Sequence, residues 1–191
     1  MELFPPVLNV GIFINMKIII TEKQLNRIIK EDQGFKKMGQ GNYGSVFLKN
    51  DKVYKITEDE DEVVVSKGLL KSKRDFKHFP KIYSIVKLGE NMYGEPKYGI
   101  IRKSYDPLVN VSNYRDIINL IKKYQRDIML YIPNQRNGLP TEVKDNKFLL
   151  DTIHGIIDEF STLNLPDYKL LDFHLNNLGV DGQGNIVLFD F

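Results

Sequence analysis

The sequence predicts an α+β fold in two lobes: an antiparallel five-stranded small lobe with one helix, then a shortened, mainly helical large lobe closing on a strand hairpin. Three observations predict it. Residues 35–57 form short strand-like runs broken by Gly39, Gly41, Gly44, Asn50 and Asp51, the punctuation of hairpins. Beyond Pro107 the apolar period lengthens to that of a helix, with Ile117, Ile118, Ile121, Tyr124 and Ile128 on one face. Near the end, NLGV and NIVLFDF flank DGQG, a tight turn between two short strands.

The elements follow in order. Residues 1–15 read as a loose, proline-bearing leader, and Met16 is a candidate initiator because MKIII begins a compact strand. Thr21 can cap a helix carrying Leu25, Ile28 and Ile29 and ending near Gly34. FKKMGQG, SVFLKN and KVYKIT are the first three strands, the last two joined by a tight turn at Asn50 and Asp51. A helix is expected over residues 58–71, because five consecutive acids at its start suit the positive end of the backbone dipole. HFPKIYSIVKL and KYGIIRKSY supply the remaining two strands across a turn at residues 89–96. The lobe boundary is expected within residues 104–110. After it, Ser112 can cap a long helix, PNQRNGLP over residues 133–140 is a loop, and residues 148–163 form a helix with Leu149, Ile153, Ile156, Ile157 and Phe160 on one side. The chain thus divides into a leader and helix over residues 1–33, a small lobe over 34–106 and a partial large lobe over 107–191.

Composition narrows the function classes. A chain of 191 residues with 42% hydrophobic content can bury a real core, which excludes a disordered tail. The net charge of +2, with lysines alternating with acids, offers no basic stripe, so no nucleic-acid partner is expected. With no cysteine, disulfides and cysteine-ligated zinc are excluded, which fits a cytoplasmic protein. His78, His154 and His174 lack metal-ligand spacing. The apolar stretch at residues 4–20 is broken by Pro5, Pro6, Asn9, Asn15 and Lys17 and lacks the flanks of a signal peptide, so no membrane partner is expected either.

The chemistry-bearing residues form an ordered set. GQGNYGSV places Gly39, Gly41 and Gly44 where backbone amides can lie close over phosphates, ahead of Val46; three such glycines also serve ordinary tight turns. Lys55 follows on the next strand, sharing a face with Val53, and its plain alternative is a solvated strand lysine. DFHLNN then sets Asp172 and Asn177 five apart, and VLFDF ends in Asp190 and Phe191. Carboxylates with an amide can fix a divalent cation and orient a hydroxyl.

Taken in order, GxGxxGxV, a strand lysine, DxxxxN and Asp-Phe resemble the protein-kinase-like superfamily over about residues 34–191. The resemblance implies that Gly39, Gly41 and Gly44 cover the phosphates of ATP, Val46 covers the adenine and Lys55 holds the α and β phosphates, oriented by an acid of the following helix. Glu62 is the choice, since Val65 and Leu69 share its face, with Glu58, Asp59, Glu60 and Asp61 as competitors. Asp172 would be the catalytic base, and Asn177 and Asp190 would hold Mg2+. The backbone near Arg102 and Tyr105 would meet the adenine edge. His174 stands where aminoglycoside-phosphotransferase-like small-molecule kinases carry histidine, to touch the transferring phosphate or brace the loop, and a loop histidine without a role is its alternative.

The chain also departs from the family. Leu170 and Leu171 replace the His-Arg pair that precedes the aspartate in regulated protein kinases, which removes the receiver for a phosphorylated activation loop. Gly179 stands where an apolar side chain usually floors the adenine pocket. The motif breaks off after Phe191, before its glycine, so either a truncated chain or a stripped-down relative is expected. The expected function is ATP-dependent transfer of the γ-phosphate to a hydroxyl of a protein or small molecule. The alternatives are a pseudokinase or nucleotide-binding interaction module without transfer, and a two-lobed protein that binds no nucleotide.

Overall fold

The computed structural model describes residues 27, 34–41, 44–134, 138–165 and 171–190. The leader, Met16 and the helix expected from Thr21 lie outside the described residues, apart from Arg27, which is helical.

Strands β1 (Lys36–Gly41), β2 (Gly44–Lys49), β3 (Lys52–Thr57), β4 (Ile82–Glu90) and β5 (Pro96–Lys103) form one antiparallel sheet in the order β1-β2-β3-β5-β4. Asn50 turns β2 into β3 with φ 55, a conformation that asparagine tolerates better than most residues. Register is fixed residue by residue at the centre: Lys55 faces Val46 on β2 and Ile100 on β5, and Val53 faces Arg102. Because side chains alternate across a strand, Val53, Lys55, Ile100 and Arg102 all leave one face of the sheet.

Helix α1 (Glu60–Ser72) enters between β3 and β4 and starts two residues later than the acidic run suggests. The cause is local. Asp59 is the cap, its carboxylate accepting from the amides of Asp61 and Glu62, while Thr57 Oγ1 accepts from the Asp59 amide. The helix buries Glu62, Val63, Val65 and Leu69.

After β5 the chain adds a two-residue strand β6 (Asp106–Pro107), which pairs with β7 (Leu178–Val180), itself paired with β8 (Ile186–Leu188). The expected hairpin is therefore the core of a three-stranded sheet. Ser112 does not cap the long helix: 3-10 turns at Leu108–Asn110 and Ser112–Tyr114 come first, and helix α2 (Arg115–Asn134) begins at Arg115. Tyr124 breaks its regularity at φ −120, ψ 16, where the phenol donates to Glu142 Oε1 at 2.5 Å. Pro133 and Asn134, expected in a loop, belong to the end of α2, and residues 135–137 lie outside the described residues. A short helix α3 (Thr141–Asp145), not anticipated, precedes α4 (Lys147–Ser161), which Asn146 caps through the Leu149 amide.

Helix α4 is the axis of the helical part. Leu149, Ile153, Ile156 and Phe160 are almost wholly buried, each worth at most about 1.5–3 kcal/mol of apolar transfer. The core runs without a break from Val63 and Val65 on α1 through Phe79 and Phe160, whose rings lie 6.2 Å apart, to Leu178 and Ile186 in the small sheet. No described helix is long and apolar enough to cross a membrane.

His78, in the segment between α1 and β4, joins two elements in that core. Its amide donates to Glu159 Oε2 on α4, its Nδ1 meets the Ile186 carbonyl at 2.8 Å, and its own carbonyl accepts from Leu188 at 2.9 Å. The ring fills the space left by Gly155, where a Cβ would sit 2.5 Å from ring atoms. Gly155→Ala should therefore cost about 1–3 kcal/mol through overpacking, read as a lowered urea or thermal midpoint. Gly182→Ala, whose Cβ meets nothing within 4 Å, should leave the midpoint nearly unchanged.

Candidate functional site

The site is built around Lys55, which the middle strand of the sheet holds 13% exposed. Its Nζ lies 2.9 Å from Glu62 Oε2 and 2.5 Å from Asp190 Oδ1, so one ammonium joins β3, α1 and the segment after β8. The other acids of the run have different partners or none in the core. Glu58 accepts from Asn91 Nδ2 at 2.9 Å and pairs with Lys97 at 3.3 Å, Asp59 caps the helix, and Glu60 and Asp61 are exposed. Helix geometry then explains Glu62: with Asp59 fixing the first turn, Glu62 falls on the stripe of Val65 and Leu69 and points inward.

Burial of Glu62 has a price in protonation. Removal from water pushes its carboxyl up to about 7 from the ordinary 4.5; Lys55 draws it down, Asp190 pushes it further up, and Arg102 draws it down. The 2.9 Å contact with Lys55 is an ion pair without hydrogen-bond alignment, which leaves Glu62 Oε2 short of a hydrogen-bond donor.

Arg102 is the member of this cluster that the sequence reading overlooked. That reading gave its backbone a place at the adenine edge and its side chain none. Arg102 is 5% exposed, and its guanidinium lies over the Phe189 ring, Cζ 4.8 Å from the centroid. Burial pulls its pKa down, while Asp190 and Glu62 oppose that shift. The available signal was an arginine two residues after Ile100, in a strand whose inward positions are otherwise apolar.

A second group forms at the start of the small sheet. Phe173 and Leu175 are buried and pin the loop, leaving Asp172 exposed between the buried Leu171 and Phe173. Asn177 Nδ2 donates to Asp172 Oδ2 at 2.9 Å and to the Asp172 carbonyl at 3.1 Å. His174 Nδ1 accepts from the Asn176 amide at 3.2 Å and so caps the 3-10 turn Leu175–Asn177. The two groups are tied by one backbone bond, Phe189 N donating to the Asn177 carbonyl at 2.9 Å.

The glycine hairpin joins the first group through register: Gly39 pairs with Val46, Gly41 with Gly44, and Val46 with Lys55. A Cβ at Gly44 would overlap the Ile56 carbonyl oxygen, so only glycine fits there. Asn42 and Tyr43 at its tip lie outside the described residues, as do Leu170 and Phe191. At Gly179 a Cβ would lie 2.8 Å from Tyr105 Cβ and 3.0 Å from the Asp106 carbonyl oxygen, so the close packing of β6 leaves no room for a side chain.

The donor chemistry fits a hard divalent cation. Asn177 spends its amide nitrogen on Asp172, which leaves its oxygen as an acceptor, and Asp190 Oδ2 makes no hydrogen bond among the described residues. No group of three or more histidines and carboxylates suited to a metal occurs among the described residues. One carboxylate and one amide oxygen are a set that Mg2+ completes with phosphate oxygens and water. A cavity of about 640 Å³ between the end of α1, the start of β4 and the β7–β8 turn is lined by none of Lys55, Glu62, Arg102 and Asp190.

No family profile matches the chain, and no curated protein matches it in sequence. Its matches are structural ones. The chain is similar to the crystal structure of aminoglycoside phosphotransferase APH(4)-Ia, with 12% identity over 88% of this chain and 69% of that one, at a TM-score of 0.44. It is also similar to a thermostable mutant of that enzyme in its apo form, with 10% identity over 82% of this chain and 66% of the other, at a TM-score of 0.41.

The Glu62 environment has a pH signature. An acid whose folded pKa lies above its unfolded value binds its proton more tightly in the native state. Its contribution to stability is therefore complete below about 4.5 and is lost as pH rises through about 7. Urea unfolding of wild type and Glu62→Gln should show a stability difference that changes between these two pH values and levels off above about 8. A constant difference across that window would contradict the assignment.

Proposed function

We propose that the chain is an ATP-dependent phosphotransferase that moves the γ-phosphate to a hydroxyl of a small molecule or protein. One observation carries the reading: Lys55 is clasped between Glu62 and Asp190, three residues from three separate segments meeting at one ammonium. A structural lysine on a solvated strand has no need of two carboxylates. A lysine that must present its charge to a polyphosphate does need to be held, and phosphoryl transfer depends chiefly on positioning and charge neutralisation.

In this reading the backbone of Gly39, Gly41 and Gly44 lies over the phosphates and Val46 covers the base. Lys55 takes the α and β phosphates while Glu62 keeps its ammonium in place. Asp190 and Asn177 would hold Mg2+, which when bound neutralises charge on the phosphates. Asp172 accepts the proton of the attacking hydroxyl, with its carboxylate oriented by the 2.9 Å bond from Asn177. His174 holds the turn that carries Asn177. The resemblance at His174 favours a small-molecule acceptor over a protein.

Thermal unfolding with and without ATP and Mg2+ tests the nucleotide. At about a hundred times its dissociation constant the ligand should add ~2.7 kcal/mol of stability to wild type. Asp190→Ala should lose most of that gain. No gain at millimolar ATP would reject the proposal, and a gain without transfer to any offered hydroxyl would assign a nucleotide-binding module instead. Where transfer occurs, Asp172→Asn should lower kcat by about 10²–10⁴-fold and leave ATP affinity within a few-fold of wild type.

A further inference from the structure

We infer that Arg102 is a positioning residue, a fixed second cation that acts on Asp190 and Glu62 through its field, without an ion-pair contact to either, when Lys55 turns to a phosphate. The inference rests on the phosphotransfer reading and adds a residue to it.

The geometry comes from the sheet. Lys55 pairs with Ile100 and Val53 with Arg102, so the two cations leave the same face two residues apart. Arg102 runs inward until its guanidinium lies on the ring of Phe189, 4.8 Å from Cζ to centroid, and Phe189 immediately precedes Asp190. The residue is 5% exposed, and Nε, fully buried, has no hydrogen-bond partner among the described residues. Burying an ionised group with one donor left unpaired is costly, and a leucine or methionine would fill the same row without that cost. The charge itself is therefore what the position supplies.

Its use follows from a count of charges. Lys55 is a single ammonium serving two carboxylates, at 2.9 Å and 2.5 Å. A phosphate that captures Lys55 loosens its hold on Asp190 and leaves the buried Glu62 carboxylate without its ammonium, beside an Asp190 whose side chain is only partly exposed. Arg102 restores the balance to two cations against two carboxylates. A guanidinium keeps its proton throughout, and the contact with the Phe189 ring keeps it where it is, so its charge stays put whichever partner Lys55 takes. The bond from Phe189 N to the Asn177 carbonyl anchors the same residue from the other side.

The test is ATP binding to the full chain by calorimetry, with EDTA and with Mg2+, in wild type, Arg102→Met and Arg102→Lys. Methionine keeps the length and the contact with Phe189; lysine returns the charge. Arg102→Met should weaken metal-free ATP binding at least tenfold, because Lys55 is then gripped by both carboxylates. The Mg2+ concentration that half-saturates the ATP complex should stay the same or fall, because Asp190 loses a competing cation. Arg102→Lys should recover most of the metal-free affinity. Unchanged metal-free affinity in Arg102→Met would overturn the inference, as would equal losses in Arg102→Met and Arg102→Lys, which would mean packing and not charge. Should Arg102→Met fail to fold, Arg102→Met/Glu62→Gln removes one charge of each sign and should fold and bind ATP better than the single variant; a double variant no better would count against the inference. Wild type that binds no ATP under either condition removes the phosphotransfer reading as well, whereas ATP binding indifferent to Arg102 removes this inference alone.

Discussion

A single ammonium shared by two carboxylates organises this molecule. Lys55 reaches Glu62 and Asp190 only because the sheet register, the capped start of α1 and the path out of β8 all bring their residues to one point. The constraint works in both directions. Glu62 is buried well beyond what an unpaired carboxylate tolerates, so it depends on Lys55 and Arg102, and they in turn are desolvated by the walls it belongs to. Removing any one member leaves a charge with nowhere to go, and so the cluster acts as a unit.

The small sheet repeats this logic with neutral groups. Asn177 divides its functions between two ends: its nitrogen holds Asp172, while its backbone carbonyl takes the amide before Asp190. Asp172 and Asp190 are thereby connected through a few covalent bonds and two hydrogen bonds. The loop is held to the rest of the chain by Phe173 and Leu175, whose side chains enter the common core on either side of His174.

Much of this was legible because two periodicities, of two and of 3.6 residues, decide which side chains share a face. Spacing put Lys55 on the face of Val53 and Glu62 on that of Val65 and Leu69, but it left Glu58, Asp59, Glu60 and Asp61 as competitors for the lysine. Neither periodicity speaks about register between strands that are far apart in sequence. Arg102 joins the cluster because β5 sits beside β3, a pairing between residues about fifty positions apart, and its role was invisible without that pairing. The start of α2 was misplaced for a local reason: Ser112 opens a 3-10 turn, and the regular helix starts only at Arg115. The short helix at Thr141–Asp145 was hidden because five residues are too few to show a period.

The fit between His78 and Gly155 carries a consequence for how this chain can diverge. An imidazole that bonds the Ile186 carbonyl occupies the notch left by a missing methyl on α4, so neither position is free to vary by itself. Among descendants of this sequence, a bulkier residue at 155 would have to arrive with a slimmer one at 78, and the loss of the ring would strand a carbonyl in the interior. The two sites form one steric unit, and paired change at both is what the packing permits.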